Sequence, residues 1–177
     1  MPEAHHELGP LSSLRAEAIG QPGSRRFRLM AETRSGASAI VWLEKDQLFN
    51  LAVAIKRLIA AVEDQNRGRS RTSVASEAQA APASVGVSAI EFQAGRMAIG
   101  YDESSALYLI AGYDAEGEED NVPLVSLEAT AKEIDALADE AFAVCAAGRP
   151  RCILCGAPLG PGTHVCPRHN GHKMPEA

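Results

Sequence analysis

Apolar and polar side chains alternate along three stretches in the first quarter of the chain, a pattern typical of half-buried β-strands. The segment 21–24, Gln-Pro-Gly-Ser, separates the first two stretches, and Arg-Ser-Gly at 34–36 separates the second from the third. Both segments carry turn residues, so we predict three strands joined by short turns. The residues predicted to share a face are Leu14, Ala16 and Ala18, then Phe27, Leu29 and Ala31, and then Ile40 and Trp42.

Two stretches have apolar residues at helical spacing instead. Residues 45–63 predict a helix with one apolar face, and residues 131–145 predict a second one. Thr130 and Glu133 have the spacing of a capping box at the start of the second helix, and Gly148 and Pro150 end it. The predicted apolar faces consist of Leu48, Leu51, Ala52, Ile55, Leu58, Ile59 and Val62 in the first helix, and of Ile134, Leu137, Ala138, Ala141 and Cys145 in the second.

Strand patterns also lie between the two helices, and they suggest an internal repeat. The predicted faces are Ile90 with Phe92, then Met97, Ile99 and Tyr101, then Leu107, Leu109 and Ala111. Trp-Leu-Glu at 42–44 precedes the first predicted helix, and the similar Ser-Leu-Glu at 126–128 precedes the second. We therefore expect an α+β fold with an antiparallel sheet and two helices. The repeated pattern suggests a duplicated unit of three strands and one helix.

The expected domain organisation is a disordered N-terminus at 1–13, an α+β body at 14–148 and a zinc knuckle with a tail at 149–177. A mobile loop is predicted at about 64–86, where Ser, Ala, Arg and Gln dominate. The first ten residues lack a signal-peptide core, and no apolar run is long enough to span a bilayer. A cytoplasmic location is expected from this.

Charge is unevenly distributed over the 177 residues, whose net charge is -6. An acidic chain of this kind does not bind DNA or membranes over its whole surface. The stretch from Arg149 to Lys173 is basic, however, with Arg151 and Arg168 between them and no acidic residue. These arginines are the candidate contacts for an acidic partner or a phosphate.

The C-terminal segment carries the strongest chemical signal in the chain. Cys152 and Cys155 have Cys-x-x-Cys spacing, and Cys166 follows after a stretch rich in Gly and Pro. In a reducing compartment this arrangement indicates metal binding rather than disulfides, and a closed set of Cys and His ligands favours structural Zn²⁺. By spacing, either His169 or His164 can supply the fourth ligand, and His172 is a more distant alternative.

Other chemistry is weakly indicated. Cys145 lies on the apolar face of the second helix, where we expect it to be a core residue. The segments His-His-Glu at 5–7 and Pro-Arg-Cys at 150–152 only partly match the zinc-deaminase pattern, which has Pro directly before its first Cys. A polar cluster of Tyr101, Asp102 and Glu103, near Arg26 or Arg28, is the candidate catalytic group if the protein is an enzyme.

Several segments together resemble one family, the uncharacterised bacterial proteins called domain of unknown function 3090. They are GQPGSRRFRLMAE, VWLEKDQ, AGRMAIGYDE, AAGRPRCILCGAPL and GTHVCPRHNG, and the likeness runs from about Leu14 to His172. The resemblance implies a cytoplasmic protein with a C-terminal Cys/His knuckle and no established activity. It also favours His164 as the fourth ligand, because the family pattern Gly-His-x-Cys-Pro-Arg falls on His164, Cys166, Pro167 and Arg168, although Thr163 replaces the Gly.

Three functions follow from these observations, in order of preference. The first is a protein-interaction or adaptor module with a structural zinc site. The second is an enzyme of unrecognised type that acts on a small phosphorylated or acidic metabolite. The third is contact with nucleic acid through the basic tail.

Overall fold

The computed structural model describes residues 4–68, 89–117, 122–148, 152–155, 157, 159 and 164–168. Seven strands and two helices follow one another along this part of the chain. They are β1 (His6–Leu8), β2 (Leu11–Ile19), β3 (Arg26–Thr33), β4 (Ser38–Leu43), α1 (Lys45–Gly68), β5 (Ala89–Asp102), β6 (Leu107–Asp114), β7 (Val125–Ala129) and α2 (Ala131–Ala146). None of the described helices is both long and apolar enough to cross a membrane.

All seven strands form one sheet in the order β1-β7-β6-β5-β4-β3-β2. The sheet is mixed, so the prediction of an antiparallel sheet is wrong at two places. β4 and β5 pair in parallel, and so do β1 and β7. The first exception follows from α1, because a helical crossover returns the chain to the end at which the previous strand began.

The topology contains an order of three strands and one helix twice, but the second set of strands differs from the predicted one. The two strands predicted at 90–92 and at 97–101 are one continuous strand, β5, with a register shift between Ala94 and Arg96, and β7 was not predicted. Strands β2, β3 and β4 form an antiparallel meander that leads into α1, and β5, β6 and β7 form a second one that leads into α2. Val41 and Leu43 are buried near the end of the first meander, as are Val125 and Leu127 in the second. An origin by duplication remains a prediction.

The N-terminal segment differs from the predicted disorder at 1–13. His6–Leu8 pairs with β7, and β2 already begins at Leu11. Leu8 and Leu11 are buried in the core, and this burial offsets the entropy of ordering a short strand. The two buried leucines thus anchor the segment, and the predicted disorder is wrong for residues 6–8 and 11–13.

The core lies between one face of the sheet and the two helices, which pack on each other. The predicted face of α2 is confirmed in full: Ile134, Leu137, Ala138, Ala141 and Cys145 are buried. Of the predicted face of α1, only Leu58 and Ile59 are less than fully buried. The face predicted for β6 is wrong for Leu107 and Leu109, which are only half-buried, whereas Tyr108, Ile110 and Gly112 are buried. Ala111, the third predicted residue, is buried as well.

The sheet curves around the helices. α2 contacts β2 at one end of the strand order and also β6 and β7 towards the other end, and β2 touches β7. Glu140 links α2 to β2. Its carboxylate accepts hydrogen bonds from the Arg15 side chain at 2.8 Å and from the Ala16 amide at 2.9 Å. This places the end of α2, where the C-terminal segment begins, beside the free edge of β2.

Candidate metal centre

Two short segments of the C-terminal region bring three cysteines and one histidine together. The ligand atoms of Cys152, Cys155, His164 and Cys166 all lie within 4.8 Å of one another. Cys152 Sγ is 3.7 Å from Cys166 Sγ, and Cys155 Sγ is 3.2 Å from His164 Nε2. The four groups could therefore hold one metal ion.

These distances fit a tetrahedral zinc site. Zn–S bonds of about 2.3 Å and Zn–N bonds of about 2.0–2.1 Å place tetrahedral ligands about 3.8 Å apart for two sulfurs and about 3.5 Å apart for sulfur and nitrogen. The separations of 3.7 Å and 3.2 Å lie close to these values. A disulfide requires sulfurs about 2.05 Å apart, and all four cysteines are free. The donor set and its spacing suit Zn²⁺.

The backbone around Cys152 and Cys155 prepares the sulfurs for metal binding. The Cys152 amide donates to the Ala157 carbonyl at 2.8 Å, which closes the turn between them. Hydrogen bonds from the Cys155 and Leu154 amides lower the pKa of Cys152 to about 6. An amide that donates to sulfur favours the thiolate, which is the form that binds a metal.

Cys155 behaves differently in the absence of an ion. The Ala157 amide lowers the pKa of its thiol, but burial and the neighbouring Cys152 and Cys166 outweigh this, so the pKa is raised. Three thiolates repel one another at these separations, and a divalent cation removes that repulsion. A divalent cation at the centre would therefore stabilise the three cysteines in their thiolate form.

Arg168 is the one predicted binding arginine within the described residues. Its Nη1 donates to the Leu154 carbonyl at 3.2 Å, so it braces the segment that carries Cys166 against the segment that carries Cys152. The sequence indicated this contact only by the position of Arg168, two residues after Cys166. From there the side chain reaches the turn that carries Cys152 and Cys155. Arg149, Arg151 and His169 lie outside the described residues.

Cys145 takes no part in the cluster. It is buried at the end of α2, and its thiol donates to the Lys45 carbonyl at 3.8 Å. Burial raises the pKa of this thiol, so it stays protonated and unreactive. The prediction of a core cysteine is confirmed.

The predicted polar cluster is not brought together. Asp102 accepts hydrogen bonds from the hydroxyls of Ser104 and Ser105, which lower its pKa to about 2 in an exposed turn. Arg26 and Arg28 instead stack on Trp42, at 4.0 and 5.6 Å from its ring centre. A carboxylate with such a low pKa is a poor proton acceptor near neutral pH.

The predicted cluster lies outside three cavities of the body. Tyr101, Asp102 and Glu103 line none of these three, which belong to the described part of the chain. The His-His-Glu segment enters β1, where Glu7 pairs with Ser126 of β7, and it contributes nothing to the Cys/His cluster.

Comparison with known proteins agrees with the resemblance seen in the sequence. One family, described as protein of unknown function (DUF3090), matches residues 6–166. The chain belongs to the DUF3090 family. The match begins at the first residue of β1 and ends at Cys166, so the family pattern covers all nine elements and all four grouped Cys and His residues. No curated protein and no solved structure matches this DUF3090 chain.

Proposed function

We propose that this DUF3090 protein binds one structural Zn²⁺ through Cys152, Cys155, His164 and Cys166, and that it serves as a protein-interaction module. The observation that carries the proposal is the four-ligand cluster, with sulfur and nitrogen separations close to those of tetrahedral zinc. Four protein ligands fill a tetrahedron and leave no position for an activated water. The ion therefore has a structural role.

Zinc would also account for the order of a segment that has almost no core of its own. The described residues of the knuckle segment include no buried one, whereas the body buries a continuous apolar cluster. The binding free energy of a structural zinc ion acts as folding free energy for such a segment. Free thiols are consistent with the reducing cytoplasm that we propose as its location.

Two other functions have less support. An enzyme acting on a small phosphorylated or acidic metabolite would need the Asp102 cluster in a cleft, but this side chain is hydrogen-bonded in an exposed turn. Nucleic-acid contact is opposed by the chain's net charge of -6, which repels phosphates. Neither function explains the grouped ligands.

The experiment is elemental analysis of the full chain purified without chelators, combined with substitution of Co²⁺ for Zn²⁺. The proposal expects one zinc per chain and the absorption of tetrahedral cobalt bound by thiolates. Cys152→Ser and Cys166→Ser should each lose the metal, whereas Cys145→Ser, the matched cysteine control, should retain it. Zinc-free wild-type protein, or equal loss in the control variant, would contradict the proposal.

The interaction role has its own measurement. Intact protein and the Cys152→Ser variant would each be used to capture partners from native extract, with mass spectrometry as the readout. A partner retained by the intact protein and lost by the variant supports recognition through the knuckle. A partner held equally by both would assign recognition to the α+β body instead.

A further inference from the structure

Three apolar side chains of the knuckle face solvent. Ile153 is 98% exposed, Val165 is 89% exposed and Leu154 is 47% exposed. The other large apolar side chains classed as exposed among the described residues are Ile19 and Phe49 of the body, at 41% and 46%. Removing aliphatic side chains of this size from water favours binding. The knuckle therefore displays apolar surface that a partner could cover.

The metal cluster explains why these side chains point outward. Ile153 and Leu154 lie between Cys152 and Cys155, and Val165 lies between His164 and Cys166. The ligand side chains converge on one point, so the side chains between them are left to project away from it. We call Ile153, Leu154, Val165 and Arg168 the knuckle tip.

Arg168 adds positive charge to this apolar surface. It is exposed, and its guanidinium lies 3.2 Å from the Leu154 carbonyl. Residues 141–175 contain four basic side chains, at 149, 151, 168 and 173, and no acidic one. Charge complementarity therefore favours a partner with carboxylates around an apolar centre.

Three cavities in the described part of the body lack a net acidic rim. A cavity beside Phe49 contributes Arg57 and no carboxylate, and an adjoining one beside Met97 contributes Arg96 and no carboxylate. The cavity at the edge of β2 contains two arginines and two glutamates, so it is balanced. None of these three cavities combines an apolar floor with a net acidic rim, so the inference commits to a different protein and keeps docking to a second copy as an outcome of the test.

A membrane fits the tip less well than a protein does. Interfacial anchors commonly include Trp or Phe, and residues 149–177 contain no Trp, Phe or Tyr. The residues before 141 carry 22 acidic and 13 basic side chains, so the body would be repelled by anionic lipid.

We propose that the knuckle tip docks a different protein, inserting Ile153 and Val165 into an apolar surface pocket whose rim carries Asp or Glu side chains. This inference rests on the proposed function, because the zinc ion holds the two tip segments together. Arg168 pairs with the acidic rim and sets the orientation. In protein interfaces a few well-packed residues near the centre carry most of the binding energy, and Arg is often one of them.

The test uses a random dodecapeptide phage library selected against zinc-loaded full-length protein. The same library is selected against an Ile153→Ser/Val165→Ser double variant and against Phe49→Ser, the matched control on the body. We expect peptides rich in acidic and large apolar residues from the wild type and the control. Synthetic copies should bind the double variant at least about tenfold more weakly, and Arg168→Gln several-fold more weakly.

Several results would overturn the inference. They are equal enrichment by the double variant, enriched peptides without acidic residues, and no enrichment at all. Dimerisation in sedimentation that the double variant abolishes would assign the tip to a second copy. Binding to phosphatidylserine vesicles without peptide selection would assign it to a membrane.

Zinc content, measured on every variant, separates the two proposals. Wild-type protein without zinc contradicts the proposed function itself. Full zinc occupancy without tip-dependent peptide binding contradicts only the docking inference.

Discussion

Glu140 joins α2 to the edge of the sheet, and its removal gives a prediction whose size follows from the contacts. Its carboxylate accepts from Arg15 Nε at 2.8 Å and from the Ala16 amide at 2.9 Å, and it forms an ion pair with Arg15 at 2.7 Å. Glu140→Gln keeps the shape and one acceptor oxygen but loses the charge and one set of hydrogen bonds. The Ala16 amide on the strand edge then competes with Arg15 for that single oxygen.

The expected cost is modest because the pair is partly exposed. Charge-assisted hydrogen bonds contribute about 1.5–3 kcal/mol each when sheltered, and exposed ion pairs contribute about 0–1 kcal/mol. The side chains of Arg15 and Glu140 are 63% and 26% exposed, so solvent screening reduces the gain. We expect Glu140→Gln to lower the free energy of unfolding by about 1–2 kcal/mol, or Tm by roughly 2–8 °C.

The pH dependence gives a second test of the same contact. Burial by itself would raise the pKa of Glu140, but hydrogen bonds from Arg15 and the Ala16 amide outweigh it and lower the pKa below its ordinary value of 4.5. A lowered folded-state pKa adds stability that is present above the unfolded pKa and is lost as pH falls through the folded pKa. The deficit of Glu140→Gln relative to wild type should therefore shrink on acidification.

The assay is urea unfolding followed by circular dichroism at neutral and acidic pH. Glu32→Gln is the matched control, because Glu32 lies exposed on β3. We expect the control to stay within about 0.5 kcal/mol of the wild type. Equal effects of the two substitutions at neutral pH, or a Glu140→Gln deficit that persists at acidic pH, would refute the reasoning.

Three other substitutions test the fold and the boundary of the metal cluster. Thr130→Ala removes the capping box of α2 and should cost about 1 kcal/mol in urea unfolding, whereas Thr130→Ser should retain most of the stability. Gly112→Ala would place a Cβ 2.9 Å from the Phe92 ring and should lower the free energy of unfolding by about 1–3 kcal/mol. Gly148→Ala is its control: the added Cβ meets nothing closer than 4.0 Å, so stability in the same assay should hardly change. Cys145→Ala should lower stability by about 1 kcal/mol yet leave the zinc content unchanged, and loss of zinc would contradict its position in the core.

Amphipathic patterns predicted the helices well, because each has only one apolar face. The α2 face from Ile134 to Cys145 could be read directly from its spacing. β6 could not, because Tyr108, Leu109, Ile110 and Ala111 are apolar in succession. Its inward face is set instead by pairing, since Ile110 lies between Ile99 and Leu127.

Parallel pairing and the N-terminal strand were missed because they depend on partners distant in sequence. His6–Leu8 is too short to show a period, and it is held by β7 more than a hundred residues later. For the metal cluster, residue spacing indicated the three cysteines but did not decide whether His164 or His169 is the fourth ligand. The exposure of Ile153 and Val165 could have been anticipated, because side chains between converging ligands have no core to enter.

The central claim is that three sulfurs and one imidazole nitrogen bind a single zinc ion. X-ray absorption at the zinc edge of the full-length protein measures this directly, with His164→Ala and His169→Ala as the paired variants. We predict a first shell of three sulfurs at about 2.3 Å and one nitrogen at about 2.0–2.1 Å, altered by His164→Ala and unchanged by His169→Ala. A shell of four sulfurs, a shell changed only by His169→Ala, or protein without zinc would contradict the account.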